Sequence, residues 1–364
     1  MTMPALQRLR ERFPAAHISL LTPEKLADLW RAHRNLDAVV SFTPGQSPWS
    51  VARELRSLRA DTSLVLPNSP RAALEVWLAR IPQRIGYSRP WRNYFLTRTI
   101  KPRPGHVPMR KRPIREIKRR IIISGQTSIA PESRTRLADS SDQGGHHLYD
   151  YLHLVAALGA TPDPVAPQLE VTANELKEAD EIVRSRWGND TAVPASRRFL
   201  LGINPGAEYG PAKRWPVASF AAVAREVSRR NPDCLWLIFG GANDRRLCHE
   251  LEAIPGVCSL NLAGKTSLRQ LMALLKLCRV LLTNDTGPMH VAAALGTPVV
   301  VPFGSTAPEL TGPGLPGDSR HVLLTSSAPC SPCFRATCPI DLRCLTGISV
   351  QRVVEALYTF MDPC

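Results

Sequence analysis

Short apolar runs alternate with amphipathic stretches in the first part of the chain. The runs predicted as strands are Ile18–Leu21, Ala38–Phe42 and Ser63–Leu66, and residues with the apolar spacing of a helix follow each of them. This alternation is typical of a parallel β-sheet covered by helices. The first half of the chain is therefore predicted to be an α/β domain.

The chain opens inside a predicted helix. Gln7–Arg12 has the pattern of a helix end, and Pro14 precedes the first predicted strand. In a doubly wound fold, a strand near the middle of the sheet comes before the first helix. Because that strand is missing here, we expect a sequence that starts late or is a fragment.

A second alternating half begins near Arg198. Its predicted strands are Phe199–Ile203, Leu235–Phe239, Cys258–Leu260, Val280–Thr283 and Pro298–Phe303. Its predicted helices are Val217–Arg230, Arg245–Ala253, Ser267–Leu277 and Gly287–Leu295. Two similar α/β halves predict a cleft between them.

The length and hydropathy of the chain agree with two domains. Its 364 residues are 44% hydrophobic, which is more than one compact core usually holds. We assign residues 1–190 to the first domain, 191–197 to a linker, 198–345 to the second domain and 346–364 to a last helix. No run approaches the roughly 20 apolar residues that span a bilayer, and the opening residues lack a signal-peptide pattern. The protein is therefore predicted to be cytoplasmic.

The charge predicts an anionic partner. Lys and Arg number 46 against 31 Asp and Glu, a formal net charge of +15, which suits a nucleic acid, a phosphorylated sugar or an acidic lipid. Cations and prolines crowd residues 101–120, and a polar run continues to Gly145. Residues 101–145 are predicted to form a mobile basic loop, and a solvated insertion is favoured over a specific anion site.

Two loops carry candidate chemistry. Asn204–Pro216 lies between a predicted strand and a predicted helix, and its glycines would let backbone amides approach a phosphate while Lys213 and Arg214 supply cations. The corner Asn284-Asp-Thr-Gly287 also ends a strand and opens a helix, with His290 one turn further on. Helix capping is the alternative for the Asp and Thr of this corner.

Three runs resemble glycosyltransferase family 9, the bacterial heptosyltransferases. They are Asp285-Thr-Gly-Pro-Met-His-Val-Ala-Ala-Ala-Leu-Gly296 with the following Pro298-Val-Val-Val-Pro-Phe-Gly-Ser-Thr306, then Pro205-Gly-Ala-Glu-Tyr-Gly-Pro-Ala-Lys-Arg-Trp-Pro216, and Cys330-Ser-Pro-Cys-Phe-Arg-Ala-Thr-Cys-Pro339. The last two are similar to the heptosyltransferase II branch of that family. The resemblance extends over nearly the whole chain.

The resemblance implies a GT-B fold, with two Rossmann-like domains, the donor bound mainly by the second domain and the acceptor by the first. The last helix would cross back to the first domain. It implies no cofactor and no metal, and it assigns to Lys213 the catalytic role of neutralising the departing diphosphate. The residues assigned to ADP-heptose binding are Glu208, Tyr209, Lys213, Thr266, Asp285, Thr286, Gly287 and His290.

The implied reaction is an inverting transfer of heptose from ADP-L-glycero-D-manno-heptose to heptosyl-Kdo-lipid A in the lipopolysaccharide inner core. The enzyme would work at the inner face of the inner membrane, in contact with anionic lipid and without nucleic acid. The family's catalytic base lies in an N-terminal Gly-Asp loop, and no residue here matches it. A heptosyltransferase I or III step and an inactive donor-binding remnant therefore stay open.

The cysteines and the charge leave two further alternatives. Cys330, Cys333, Cys338 and Cys344 are close enough in sequence to hold Zn²⁺, although zinc sites usually have two close pairs, so reduced thiols are preferred. A nucleic-acid-binding module would suit the net charge. The basic residues are spread, however, and no recognition helix or aromatic sheet motif is present.

Overall fold

The computed structural model describes residues 1–125, 135–136, 144–187 and 199–361. The strands in chain order are β1 (Ser19–Pro23), β2 (Ala38–Phe42), β3 (Thr62–Val65), β4 (Gln83–Tyr87), β5 (Arg98–Ile100), β6 (Thr135–Arg136), β7 (Phe199–Asn204), β8 (Cys234–Ile238), β9 (Ser259–Asn261), β10 (Val280–Thr283), β11 (Val299–Pro302) and β12 (His321–Leu324). The α-helices are α1 (Met3–Arg12), α2 (Glu24–Ala27), α3 (Pro48–Ser57), α4 (Pro70–Leu78), α5 (Ile114–Ile123), α6 (Leu148–Ala156), α7 (Ala173–Trp187), α8 (Val217–Arg230), α9 (Arg245–Glu252), α10 (Leu268–Leu277), α11 (Gly287–Ala294), α12 (Pro308–Thr311), α13 (Arg343–Thr346) and α14 (Val350–Met361).

The described residues form two compact units. The first unit comprises Met1–Val107 and Gly144–Pro167, and the second lies within Pro108–Gln143 and Gln168–Cys364. In the first unit, β1 pairs with β2 and β4 pairs with both β3 and β5, all in parallel. These five strands form two separate sheets.

The second unit contains one large sheet in the order β6-β12-β11-β10-β7-β8-β9. All its pairs are parallel except β6 with β12. β8, β10 and β11 are buried along their whole length, which explains their continuous apolar sequences, since helices cover both faces of a parallel sheet. The prediction of two α/β units with parallel strands is confirmed.

Packing explains why the second unit begins earlier in the chain than the predicted boundary at residue 190. Helix α7 packs on α10, and the Arg269 guanidinium bonds the Glu175 carboxylate at 2.5 and 2.6 Å. Just before α7, the Leu169 N–H donates to the Ala294 carbonyl. These contacts attach residues 168–187 to the second sheet, and the predicted linker at 191–197 lies outside the described residues.

The prediction of a loop throughout residues 101–145 is wrong for residues 114–123, which form helix α5 in the second unit. Ile117 anchors the helix and is only 1% exposed, packed against Cys330 and Cys333. Ile121, one turn further on, packs against the same cluster, and this shared apolar face explains the helix. Residues 126–134 and 137–143 lie outside the described part of the chain.

The last helix, α14, packs on α8, β10 and β11 of the second unit. Val353, Val354 and Leu357 are almost fully buried there. The predicted crossing of this helix to the first domain stays a prediction. Within the described ranges, no helix has both the length and the apolar character needed to cross a bilayer.

Candidate active site

The loops that follow three neighbouring strands of the large sheet lie at the same edge, at the carboxyl ends of the strands. β7 lies beside β10, with Asn204 opposite Thr283, and β11 lies on the other side of β10. Because the strands are parallel, residues 205–216, 284–286 and 303–307 all follow the carboxyl ends of their strands. Ligands of α/β proteins bind at this edge. The two loops singled out in the sequence therefore meet, and a third loop joins them.

A partly buried ion pair links the first two loops. The Lys213 Nζ lies 2.6 Å from the Asp285 Oδ2 and 3.4 Å from the Asp285 carbonyl oxygen. The two side chains are 14% and 5% exposed, respectively. A cation held against a carboxylate in this way has a fixed position and retains hydrogen-bonding capacity for an anion, since an ammonium group has three donors.

Thr306, from the third loop, completes this arrangement. Its hydroxyl donates to the same Asp285 Oδ2 at 2.5 Å, and the residue is 6% exposed. The Asp285 carboxylate is therefore held from two sides. Thr306 belongs to the run that carried the family resemblance, but it was not assigned to the site. The sequence feature that could have identified Thr306 is its position in the loop after β11, a third parallel strand.

Asn284 fastens the first loop to the end of β10. This fully buried side chain accepts a hydrogen bond from the Trp215 N–H at 2.9 Å and donates to the carbonyls of Pro205 and Gly206 at 2.8 and 3.3 Å. Trp215 is itself buried, with its ring edge-on to Phe220. Asn284 thus satisfies backbone groups at both ends of the loop that carries Lys213, and sequence reasoning did not assign it to the site.

Residues 328–344, here named the cysteine segment, support the other side of the Lys213 loop. The Tyr209 hydroxyl donates to the Phe334 carbonyl at 2.8 Å, and the Ala212 N–H donates to the Ala336 carbonyl at 2.9 Å. The segment also holds the third loop, because the Cys333 and Phe334 N–H groups donate to the Ser305 carbonyl at 3.0 and 2.7 Å. One segment therefore positions two of the three loops.

Tyr209 and Glu208 lie at the exposed side of the site. Tyr209 is 46% exposed, and the Lys213 Nζ lies 5.1 Å from the centre of its ring, within cation–π range. Glu208 is exposed. Gly210, next in the chain, has a φ of +145°, and a Cβ there would meet the Ala336 carbonyl oxygen at 2.5 Å. Glycine is thus required for the close approach of this loop to the cysteine segment.

The amino end of α11 lies next to Asp285. Thr286 is the N-cap residue in an extended conformation, but its side chain makes no capping hydrogen bond. Gly287 is exposed, and a Cβ there would meet no atom within 4 Å. His290 is half-buried on the first turn of the helix. This helix end has space in front of it, and helix amino ends favour anions.

Of the predicted site residues, Thr266 follows the strand that lies furthest in the sheet from β7 and β10. It follows β9, the edge strand of the sheet, and β8 separates β9 from β7. The next residue, Ser267, caps α10 together with Gln270. Thr266 therefore lies at the same edge as the Lys213–Asp285 pair but two strands away from β7.

The cysteines of this unit are free thiols throughout the described chain. Cys330, Cys333 and Cys344 are buried, and burial raises the pKa of the Cys330 and Cys344 thiols. The described residues contain no group of three or more His, Cys, Asp or Glu side chains arranged to hold a metal ion. The cysteine segment contributes through its apolar side chains and its backbone N–H and carbonyl groups.

Comparison with known proteins agrees with this architecture. Residues 119–343 match the family model described as glycosyltransferase family 9 (heptosyltransferase). Lipopolysaccharide heptosyltransferase 2 of Salmonella typhimurium is 29% identical over 86% of this chain and 81% of its own length. The enzyme of the same name from Escherichia coli is also 29% identical, over the same shares of the two chains.

Solved structures support the fold. The structure of E. coli ADP-heptose lipopolysaccharide heptosyltransferase II superposes with a TM-score of 0.71 and 24% identity, covering 99% of this chain and 94% of the other. A family 9 glycosyltransferase from Veillonella parvula gives a TM-score of 0.72 at 22% identity, with coverage of 99% and 92%. The predicted α/β class and GT-B fold are confirmed.

Proposed function

Since this chain belongs to glycosyltransferase family 9, we propose that it transfers heptose from ADP-L-glycero-D-manno-heptose to the lipopolysaccharide inner core, at the heptosyltransferase II step. The observation that carries the proposal is the partly buried Lys213–Asp285 pair beside the open amino end of α11. The similarity to heptosyltransferase 2 enzymes of two bacteria over most of the chain supports the choice of donor and step.

The chemistry of the transfer explains the arrangement. Breaking the bond between the anomeric carbon and the diphosphate leaves negative charge on ADP, and a preorganised cation lowers the barrier to its departure. Lys213 supplies that cation, and the amino end of α11 would face the diphosphate with the positive end of the helix dipole. Asp285 and Thr306 fix the ammonium group before the donor arrives, so little reorganisation is needed.

The other assigned residues would surround the donor. Thr286, Gly287 and His290 would contact the sugar and the phosphates from the first turn of α11. Tyr209 and Glu208 would border the donor from the Lys213 loop, and Thr266 would contact the adenosine. Transfer also needs a base for the acceptor hydroxyl, and the described residues identify none.

The acceptor in this proposal is heptosyl-Kdo-lipid A, whose lipid portion lies in the inner membrane. The enzyme would therefore work in the cytoplasm, in peripheral contact with anionic lipid, and no nucleic acid takes part. The net charge of +15 supports attraction to such a surface.

The test measures ADP release from ADP-heptose with Kdo-lipid A and heptosyl-Kdo-lipid A as parallel acceptors. We expect turnover with heptosyl-Kdo-lipid A, and a loss of about 100-fold or more in kcat for Lys213→Met, the range found when one electrostatic donor is removed. Lys276→Met is the matched control, because Lys276 bonds the Leu295 carbonyl away from the loops of the site.

Other outcomes would change the assignment. Turnover with Kdo-lipid A instead would move the enzyme to the first heptose addition. Tight ADP-heptose binding by calorimetry with no turnover on either acceptor would identify a donor-binding protein without transferase activity. A folded protein that neither binds ADP-heptose nor releases ADP from it would refute the proposal.

A further inference from the structure

Helix α5 has an outer face that combines cations with exposed isoleucines. Ile122 and Ile123 are 78% and 71% exposed, while Ile117 on the opposite face is buried. Arg115 and Arg119 are exposed and lie on the same side as Ile122, because residues three, four and seven positions apart share one face of a helix. Two large aliphatic side chains beside arginines are costly to leave in water.

The helix is firmly attached to the second unit. The Arg112 N–H donates to the Cys333 carbonyl at 2.9 Å, and the Arg112 guanidinium donates to the Cys330 carbonyl at 3.0 Å. The Arg335 guanidinium bonds the Arg112 carbonyl in return at 3.2 Å. Together with buried Ile117, these bonds fix which face of α5 points outward.

Further exposed cations and apolar groups lie within α5 and just before it. Arg110, Lys111 and Lys118 are exposed, and Met109 and Ile114 are 44% and 41% exposed. The single acidic residue of the helix, Glu116, bonds both Arg112 and Arg120. The charge of the surface is therefore strongly positive, which opposes pairing of this face with a second copy of itself.

We propose that the outer face of α5 docks the second unit onto an anionic lipid bilayer, with Ile122 and Ile123 entering the interface and the surrounding cations pairing with lipid phosphates. Interfacial helices combine these two kinds of side chain. Their apolar side chains are buried in the lipid interface, and their cations pair with the phosphates of anionic lipids. The cysteine segment that holds α5 also holds the Lys213 loop, so the docked helix keeps the donor site close to the membrane surface.

Vesicle cosedimentation tests the docking. Vesicles of equal parts phosphatidylethanolamine and phosphatidylglycerol should bind the protein, and vesicles of phosphatidylcholine should bind it far less. Removing two cations in Arg115→Glu/Arg119→Glu should weaken binding by about 30-fold or more. Arg225→Glu/Arg246→Glu is the charge-matched control on α8 and α9, where both arginines are exposed, and it should lose much less.

The isoleucines require a second variant. Ile122→Ser/Ile123→Ser keeps every charge and should weaken binding by at least about tenfold, mostly in the fraction that resists high salt. If the Arg115/Arg119 and Arg225/Arg246 double variants weakened vesicle binding equally, α5 would not be the docking face. Unchanged vesicle binding of the serine variant would also overturn the proposal. A dimer in gel filtration that the serine variant abolishes would assign the face to a second copy instead and overturn the proposal.

The inference deepens the proposed function, since it rests on an acceptor embedded in lipid. Vesicle binding is measured without any sugar, so its failure would leave the transferase assignment standing. Conversely, ADP release from a short acceptor lacking lipid should be unchanged in the α5 variants. Loss of that activity would overturn a purely docking role for this face.

Discussion

Replacing Thr306 with valine tests whether the Asp285 carboxylate must be held for catalysis. Valine has nearly the same shape as threonine but cannot donate the 2.5 Å hydrogen bond to the Asp285 Oδ2. A hydrogen bond to a charged group contributes about 1.5–3 kcal/mol. Thr306 and Asp285 are only 6% and 5% exposed, so water cannot readily replace the lost donor.

If this free energy serves to place Lys213 for the departing diphosphate, Thr306→Val should lower kcat/KM for ADP-heptose by about 10- to 100-fold. The loss should lie mostly in kcat, since the cation is needed most when charge develops on ADP. Thr306→Ser retains the hydroxyl and should restore most of the activity. ADP release at varied donor concentration measures both parameters.

Thr311→Val is the matched control. Thr311 is also buried, but its hydroxyl donates to the carbonyl of Ala307, the N-cap residue of helix α12, rather than to a carboxylate. Its activity should stay near that of the wild type. Equal effects of the two valine variants, or a Thr306→Val enzyme with unchanged kcat/KM, would refute the positioning role and leave Thr306 as a packing residue.

Three further predictions concern Asn284, His321 and Arg269. Asn284→Ala leaves the Trp215 N–H and loop carbonyls unpaired, so it should destabilise the protein by about 2–4 kcal/mol in urea titrations and weaken ADP binding; unchanged stability with full donor binding would contradict this. Burial lowers the pKa of His321 from 6.5 to about 4, so the native state resists protonation that the unfolded chain accepts. Stability should thus fall by up to about 3 kcal/mol as the pH drops from 6.5 to 4, and His321→Asn should flatten that dependence in melting curves. Arg269→Gln removes the bidentate bond to Glu175 and should lower the free energy of unfolding by about 1–2 kcal/mol; equal urea midpoints for variant and wild type would contradict it.

Five strands and four helices of the second unit were predicted to within one residue at each end, whereas β6, β12, α7, α12 and α13 were not predicted. Val280–Thr283 and Val217–Arg230 have the predicted bounds, because the period of their apolar residues matches their structure. Helix α5 was missed although its isoleucines have helical spacing. The prolines before it and its own cations dominated the local pattern, and its stabilising partners, Cys330 and Cys333, lie far away in the chain.

The site was predictable only in part, for a topological reason. Lys213 and Asp285 could be singled out because each lies in a loop that joins a strand to a helix, next to residues typical of phosphate binding. Their side chains meet because β7 and β10 are neighbours in the sheet. The sequence of either loop does not reveal the order of the strands. Thr306 and Asn284 required the same knowledge, since their partners lie in other loops.

The cysteine segment illustrates how a stretch with few regular elements can govern function. Its carbonyls at Phe334 and Ala336 accept hydrogen bonds from the Lys213 loop, and those at Cys330 and Cys333 accept from Arg112. Buried backbone carbonyls outside regular sheets and helices need partners of this kind. The buried thiols supply the compact apolar filling that lets such an irregular backbone stay packed. One irregular segment thus positions both the Lys213 loop and helix α5.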